Sequence, residues 1–317
     1  MQTIEQVKEK YYEMFNQYPN NQIKVITNFK EKTYSLEKTN EIFESHPEVP
    51  IFTDLKVIYG DTDSIFVRFK YNLENNDINR QNTFKYADEC SKQITRHIGR
   101  KPLDLEFEKI FQPLVLLTKK RYIAKKFEDS KNPFKSKCID MKGIALVRRD
   151  YCGFVKKCYG EITDEILNNT SSIADTVEIY KKYLKQLEDD KVEMSDLTLS
   201  ALLKSNYKSK PIHVYVSEKM RARNEEVAIG DRIPFVFIEN GNEKKTESGE
   251  HPKFVMDNNI PLKKSCYVEQ LAKPILGFYK CIMSQKDFLK LLDYTNEILL
   301  NYNGKKLTLS SFKLDAE

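Results

Sequence analysis

The sequence predicts an α+β protein in two parts. Residues 1–140 mix helices with an antiparallel sheet, and residues 141–317 are mainly helical with a small β insertion. Three observations predict this. Two apolar runs, 55–59 and 65–69, flank a tight acidic turn and read as a hairpin. Residues 102–128 place β-branched and aromatic side chains in short strand-like runs. Later, Ile173, Val177, Tyr180, Leu184 and Leu187 recur at helical spacing, as do Phe288, Leu292 and Ile298. A length of 317 residues suits two domains of about 100–200 residues each, and 40% hydrophobic content can supply both cores.

Taken in order, Ile4, Val7, Tyr11, Met14 and Phe15 predict an opening amphipathic helix. Residues 17–50 are polar and mixed, and read as an irregular insertion with short elements. The hairpin follows. Residues 71–82 (YNLENNDINRQN) read as a loop, and Ala87, Cys90, Ile94 and Ile98 mark a second helix. After the 102–128 strands, residues 135–160 form a basic connector leading into helices. The stripe from Ile173 to Leu187 is a core-facing helix. HVYVSEKM (213–220) and DRIPFVFI (231–238) read as the strands of the β insertion, with a turn at Asn240-Gly241. A last helix spans about 285–302.

Charge is uneven. The formal net charge is +5, yet residues 119–157 alone hold 13 Lys/Arg against 4 Asp/Glu. A local cationic stretch in a nearly neutral chain suits an anionic partner, nucleic acid foremost, with a solvated basic face as the plain alternative. None of the six cysteines forms a C-x-x-C pair, which argues against zinc and suits reduced thiols in an intracellular protein. No apolar run approaches the ~20 residues of a membrane span. The first residues carry acids and no apolar signal segment.

The hairpin tip holds Asp61 and Asp63. Two residues apart, they share a face in extended geometry, and a tight turn can separate them. Turn aspartates are common, because Asp bonds its own backbone. Here the flanks Val57, Ile58, Ile65, Phe66 and Val67 anchor the turn in a sheet, and Gly60 permits close backbone approach. Paired carboxylates on such a turn can hold a hard divalent cation and leave positions for substrate phosphates.

YGDTDS (59–64) resembles the third palm motif of the B-family DNA polymerases. LEFEKIF (105–111) resembles the downstream palm strand, and KKRY (119–122) the motif that touches the primer–template duplex. KGIALVRRDYC (142–152) resembles the palm-to-thumb junction. PIHVYVSEKMRARN (211–224), IGDRIPFVFI (229–238) and NNIPLKKSCYVEQLAKPIL (258–276) resemble thumb segments of delta-like and large-DNA-virus enzymes. The matches fall in family order. The resemblance implies residues 1–140 as the C-terminal part of a palm and 141–317 as a thumb.

It further implies template-directed nucleotidyl transfer from deoxynucleoside triphosphates onto a DNA primer–template, with two Mg²⁺ ions. Asp63 is the expected direct metal ligand and Asp61 the second acid. Tyr59, Gly60, Thr62 and Ser64 shape the turn, and Glu106 and Glu108 are possible further acids. Lys119, Lys120, Arg121 and Tyr122 are the expected duplex contacts, with Lys120 reaching the minor groove. Lys142, Arg148 and Arg149 are expected at backbone phosphates.

Two family motifs are not found: D-x-x-S-L-Y-P-S, which carries the other metal-binding Asp, and K-x-x-x-N-S-x-Y-G of the fingers. The expectation is therefore an incomplete piece, inactive until a complementary polymerase chain supplies fingers, the first palm motif and an exonuclease. A non-catalytic DNA-binding remnant is the alternative. Either would work in a nucleus or at a viral replication site. A haloacid-dehalogenase-type phosphatase also uses D-x-D, but needs strands alternating with helices on a parallel sheet, and that alternation is missing. In the tail, Leu309 and Phe312 partly fit a sliding-clamp ligand, while Lys306 and Lys313 depart from it; a frayed tail is the other reading.

Overall fold

The computed structural model describes residues 22–27, 30–35, 52–61, 63–71, 76–98, 104–168, 171–241 and 244–312. The opening helix expected over 4–15 and Thr62 lie outside these residues. The chain divides into two compact units, one comprising Met1–Pro113 and Ala124–Asp140, the other Leu114–Ile123 and Met141–Glu317.

In the first unit, β1 (Gln22–Thr27) and β2 (Lys30–Ser35) pair antiparallel, a short hairpin inside the segment expected to be irregular. β3 (Phe52–Asp61) and β4 (Ser64–Tyr71) form the expected acidic hairpin. Their register is Tyr59↔Phe66, Gly60↔Ile65 and Asp61↔Ser64, with a shift between Val57 and Tyr59 that makes Ile58 a bulge. Such a bulge bends and twists the strand just before the turn.

α1 (Asn76–Ile98) begins six residues before the end of the predicted loop, which is thereby corrected. Polarity suggested a loop, but a helix tolerates polar residues on its outer face, and Asp77 in the first turn suits the helix dipole. The inner face buries Phe84, Ala87, Ser91 and Ile94.

Arg80 explains why the first turns are held. It is 6% exposed, and its Nε donates to Pro133 O at 2.5 Å and its other guanidinium nitrogens to Gln112 Oε1 (2.9 Å) and to Asp77. The guanidinium also stacks over the Phe127 ring at 3.9 Å. Gln112 Nε2 donates in turn to Asn76 Oδ1 at 2.8 Å. One buried fork thus ties the start of α1 to the strand and loop residues of its unit.

β5 (Ile110–Thr118), β6 (Arg121–Phe127) and β7 (Cys138–Lys142) make a sheet in the order β5-β6-β7. The strands expected over 102–128 are therefore present from residue 110. Residues 104–109 are not in a strand, although exposure alternates along them as it would in one. The basic connector contains the strand β7, which its run of lysines concealed.

The second unit is mainly helical. α2 (Gly153–Asn168) and α3 (Ile173–Glu188) pack on each other and on the long helix at Lys264–Ile282, which also packs against the helix at Gln285–Asn301. The short α4 (Met194–Leu197) leads into β8 (Leu199–Leu202). α5 (Ile212–Ala222) precedes β9 (Arg232–Phe237) and β10 (Gly249–Glu250), and the strand order is β10-β9-β8, antiparallel throughout. α6 (Pro252–Asp257), α7 (Lys264–Ile282) and α8 (Gln285–Asn301) follow.

The strand predicted at 213–220 is corrected: these residues lie in α5. Val214, Tyr215 and Val216 favour strands, but that preference depends on context. His213, Val216 and Ser217 are buried at helical spacing, and Gly249 lets the helix come close, since a Cβ there would lie 2.3 Å from Ile212 Cγ1. The core of this unit is aromatic. Tyr159, Tyr180, Tyr267, Phe278 and Tyr279 are almost wholly buried, and Tyr180 Oη is 3.1 Å from Thr295 Oγ1.

Candidate active site

The acidic turn belongs to the first unit. Register pairing of Asp61 with Ser64 closes the hairpin, with Asp63 in a turn at the tip. Asp61, the last residue of β3, is half-buried, and Asp63 in the turn is exposed. The turn therefore separates the two acids, one at a strand end and one beyond it. Ser64 Oγ donates to Asp61 O at 3.3 Å across the turn. Tyr59 and Phe66 pair across the strands with rings 5.1 Å apart, and Phe66 meets Phe111 at 5.4 Å. These edge-to-face contacts stiffen the hairpin below the turn.

Glu106 and Glu108 are exposed, and Glu108 pairs with Lys109 at 2.9 Å. Among the described residues no group of three or more His, Cys, Asp or Glu is gathered closely enough to hold a metal ion. The two glutamates thus do not join Asp61 and Asp63 in such a cluster. The donor chemistry of the turn, carboxylate and hydroxyl oxygens, suits a hard cation such as Mg²⁺, with further ligands needed from elsewhere.

The expected duplex-contact residues fall in the second unit. Lys119 and Lys120 form the turn between β5 and β6, and Lys120 has φ 61°. Lys119, Lys120 and Arg121 are exposed, whereas Tyr122 is 6% exposed and does not present its ring to a ligand. Arg121 Nε donates to Gly143 O at 3.2 Å, which brings Lys142, at the end of β7, to the same turn. Four of the expected cations therefore meet around one backbone crossing.

Arg148 and Arg149 are exposed in the turn before α2. Arg148 forks onto Asp150, Nε to Oδ1 at 2.9 Å and its terminal nitrogen to Oδ2 at 2.5 Å. The hydrogen bond to Asp150 raises the Arg148 pKa, and the same bond lowers that of Asp150. A phosphate at Arg148 would have to share or displace that carboxylate. Earlier in the basic stretch, and in the first unit, Lys126 and Lys137 both pair with Glu128, and their hydrogen bonds push its carboxyl down to about 2.

Residues 304–312 of the tail are packed down, where a frayed tail is the other reading of the sequence. Phe312 is 5% exposed, with its ring 5.8 Å from that of Phe288, and Lys280 Nζ donates to Phe312 O at 2.6 Å. Asn296 clasps the backbone of Leu307 in both directions, at 2.8 and 3.0 Å. The segment through Phe312 is packed down, and its aromatic residue is not available to a clamp. Lys313 lies outside the described residues.

Sequence reasoning missed Gly143 and Arg80. A glycine between a strand and buried Ile144 was a legible signal for close backbone approach; an arginine in a polar stretch carried none.

The model of DNA polymerase family B matches residues 3–282. The chain belongs to this family. It is 37% identical over 242 residues to the DNA polymerase of Paramecium bursaria Chlorella virus NY2A, covering 73% of this chain and 25% of that one. It is 32% identical over 243 residues to the DNA polymerase delta catalytic subunit of Candida albicans, covering 75% and 22%. Among solved structures, the family B DNA polymerase of the hyperthermophilic archaeon Pyrobaculum calidifontis matches with a TM-score of 0.48 at 19% identity, covering 78% of this chain and 29% of that one. The chain spans about a quarter of the length of the curated relatives it matches.

Proposed function

We propose that these residues are the C-terminal palm and the thumb of a DNA-directed DNA polymerase. Asp63 and Asp61 contribute to a Mg²⁺ site, and the turn around Lys119, Lys120 and Arg121 grips primer–template duplex. The observation that carries this is the YGDTDS hairpin: in a chain of this family, one carboxylate ends a strand and the next stands in the turn of a paired, aromatic-braced hairpin. The change of compact unit at Asp140/Met141 supports a palm up to residue 140 and a thumb from 141. Leu114–Ile123 departs from that boundary and groups with the later unit.

When bound, Mg²⁺ supplies charge neutralisation at phosphate oxygens and makes a bound hydroxyl more acidic. Asp63, exposed at the tip, is the residue able to reach such an ion. Asp61, half-buried with its carbonyl accepting from Ser64, is held in a fixed position beside it. The lysines and arginines bind phosphates and sugar edges alike, giving sequence-tolerant hold on any duplex.

The two carboxylates do not by themselves complete a metal site, and the family's first palm Asp and fingers Lys are not in this sequence. The proposed catalyst therefore needs residues beyond these 317, on the same or another polypeptide. The test is Mg²⁺-dependent primer extension by these residues joined to or mixed with a polypeptide carrying both motifs. Duplex binding without extension in every such combination would favour the non-catalytic remnant.

A further inference from the structure

We infer that Gly143 is a positioning residue for the duplex grip: its missing side chain is what allows Lys120 to sit where the proposed function needs it. The inference rests on the reading of the 119–122 turn as a duplex contact, and goes beyond it by naming the residue that sets the turn's shape.

The geometry is steric. Gly143 has φ +63°, a conformation that L side chains rarely adopt. A Cβ built there would lie 2.4 Å from Lys120 O and 3.1 Å from Arg121 Cγ. The first distance is to backbone, which cannot swing aside as a flexible side-chain end can. The backbone after β7 therefore touches the carbonyl of Lys120 at a spot where only hydrogen fits.

A second contact fixes the same crossing. Arg121 Nε donates to Gly143 O at 3.2 Å. The turn is thus met at Lys120 O and held at Arg121. Lys120 itself has φ 61°, an unusual backbone state for a residue with a side chain, and one that persists where surroundings over-determine it. Ile144 and Ala145, 1% and 3% exposed, anchor the 143 backbone so that it cannot retreat. A side chain at 143 must therefore move the 119–121 turn. Gly277 carries no such constraint: nothing lies within 4 Å of a Cβ there.

The test is a double-mutant cycle on binding of a fluorescein-labelled primer–template duplex, measured by anisotropy over a range of salt. The variants are Gly143→Ala, Lys120→Ala and both together, with Gly277→Ala as control and thermal melting as the check on folding. Lys120→Ala is expected to weaken binding and reduce the salt slope by about one. Gly143→Ala is expected to weaken binding about tenfold, and the double variant to bind no worse than about twofold below the weaker single variant. Should Gly143→Ala fail to melt cooperatively, Gly143→Asn takes its place: Asn tolerates the positive φ but still sets a Cβ against Lys120 O. Native affinity in a folded Gly143→Ala, or losses that multiply with those of Lys120→Ala, would overturn the inference while leaving the grip intact. No loss from Lys120→Ala would overturn the grip, and the positioning role with it.

Discussion

Asp63 and Arg80 show how differently single residues announce themselves. Asp63 stands exposed in a turn that its neighbours make rigid, and the motif around it is readable on sight. Arg80 lies in a polar stretch that resembles a loop, yet it is buried and makes three hydrogen bonds and a ring stack. Truncation to Ala would leave Pro133 O and Gln112 Oε1 short of a donor and open a space beside Phe127. We expect Arg80→Ala to destabilise its unit by about 2–3 kcal/mol, and Arg80→Lys, which lacks the fork, by somewhat less. Denaturant unfolding checks this, and a native midpoint for Arg80→Ala would contradict it. His213 gives a pH-dependent case. Its Nε2 lies 2.8 Å from Tyr207 Oη, which donates to Leu202 O and accepts from Lys204 N, so the imidazole is the donor there. Burial lowers its pKa below the ordinary 6.5. The unfolded chain then binds more protons than the folded one in mild acid, so stability is full above about pH 6.5 and declines as pH falls through the folded pKa. His213→Gln should flatten that part of the melting-temperature profile; an unchanged profile would mean that His213 does not titrate on unfolding.

The basic residues of 119–157 do not behave as one patch once elements are in place. Lys126 and Lys137 are tied to Glu128, and Arg148 to Asp150. The turn between β5 and β6 is different: strand pairing, the Arg121–Gly143 bond and the Gly143 contact hold three exposed cations in one shape. In the proposed duplex grip such a preformed turn would lose little freedom on binding, so each phosphate contact would count in affinity. Combined Lys120→Ala, Arg148→Ala and Arg149→Ala should weaken duplex binding and flatten its salt dependence by about two to three, without changing preference among sequences. A slope equal to that of the native chain would remove these residues from the interface. Because Asp150 competes for Arg148, Arg148 should contribute less than Lys120 to that change.

For the molecule as a whole, the proposed catalysis would need more carboxylates than the hairpin offers. The 317 residues alone should not extend a primer with Mg²⁺ and all four nucleotides. Joined to or mixed with a polypeptide that carries the first palm motif and the fingers, they should. In that assembly Asp63→Asn should abolish extension while association persists, since the amide keeps the shape of the turn and loses the charge that holds a cation. Extension at a near-native rate by the assembled Asn variant would mean that Asp63 is not a metal ligand.

Local chemistry made much of this protein legible. Alternation and a tight turn specified the 52–71 hairpin, helical spacing specified α3 and α8, and the YGDTDS and KKRY motifs specified the family before any geometry was known. Packing determined the rest. HVYVSEKM became a helix because Gly249 admits it against β10, where its intrinsic preference would have made a strand. The start of α1 depends on an arginine whose partners lie as far as 53 residues away. Phe312, which looked like part of a free recognition tail, is spent against Phe288. Tyr122 is buried although it sits among exposed cations, and Gly143 matters through a carbonyl that strand pairing brings to it. In each case the deciding contact joins residues distant in sequence, and local propensities of a few tenths to about one kcal/mol per residue yield to burial terms that are larger.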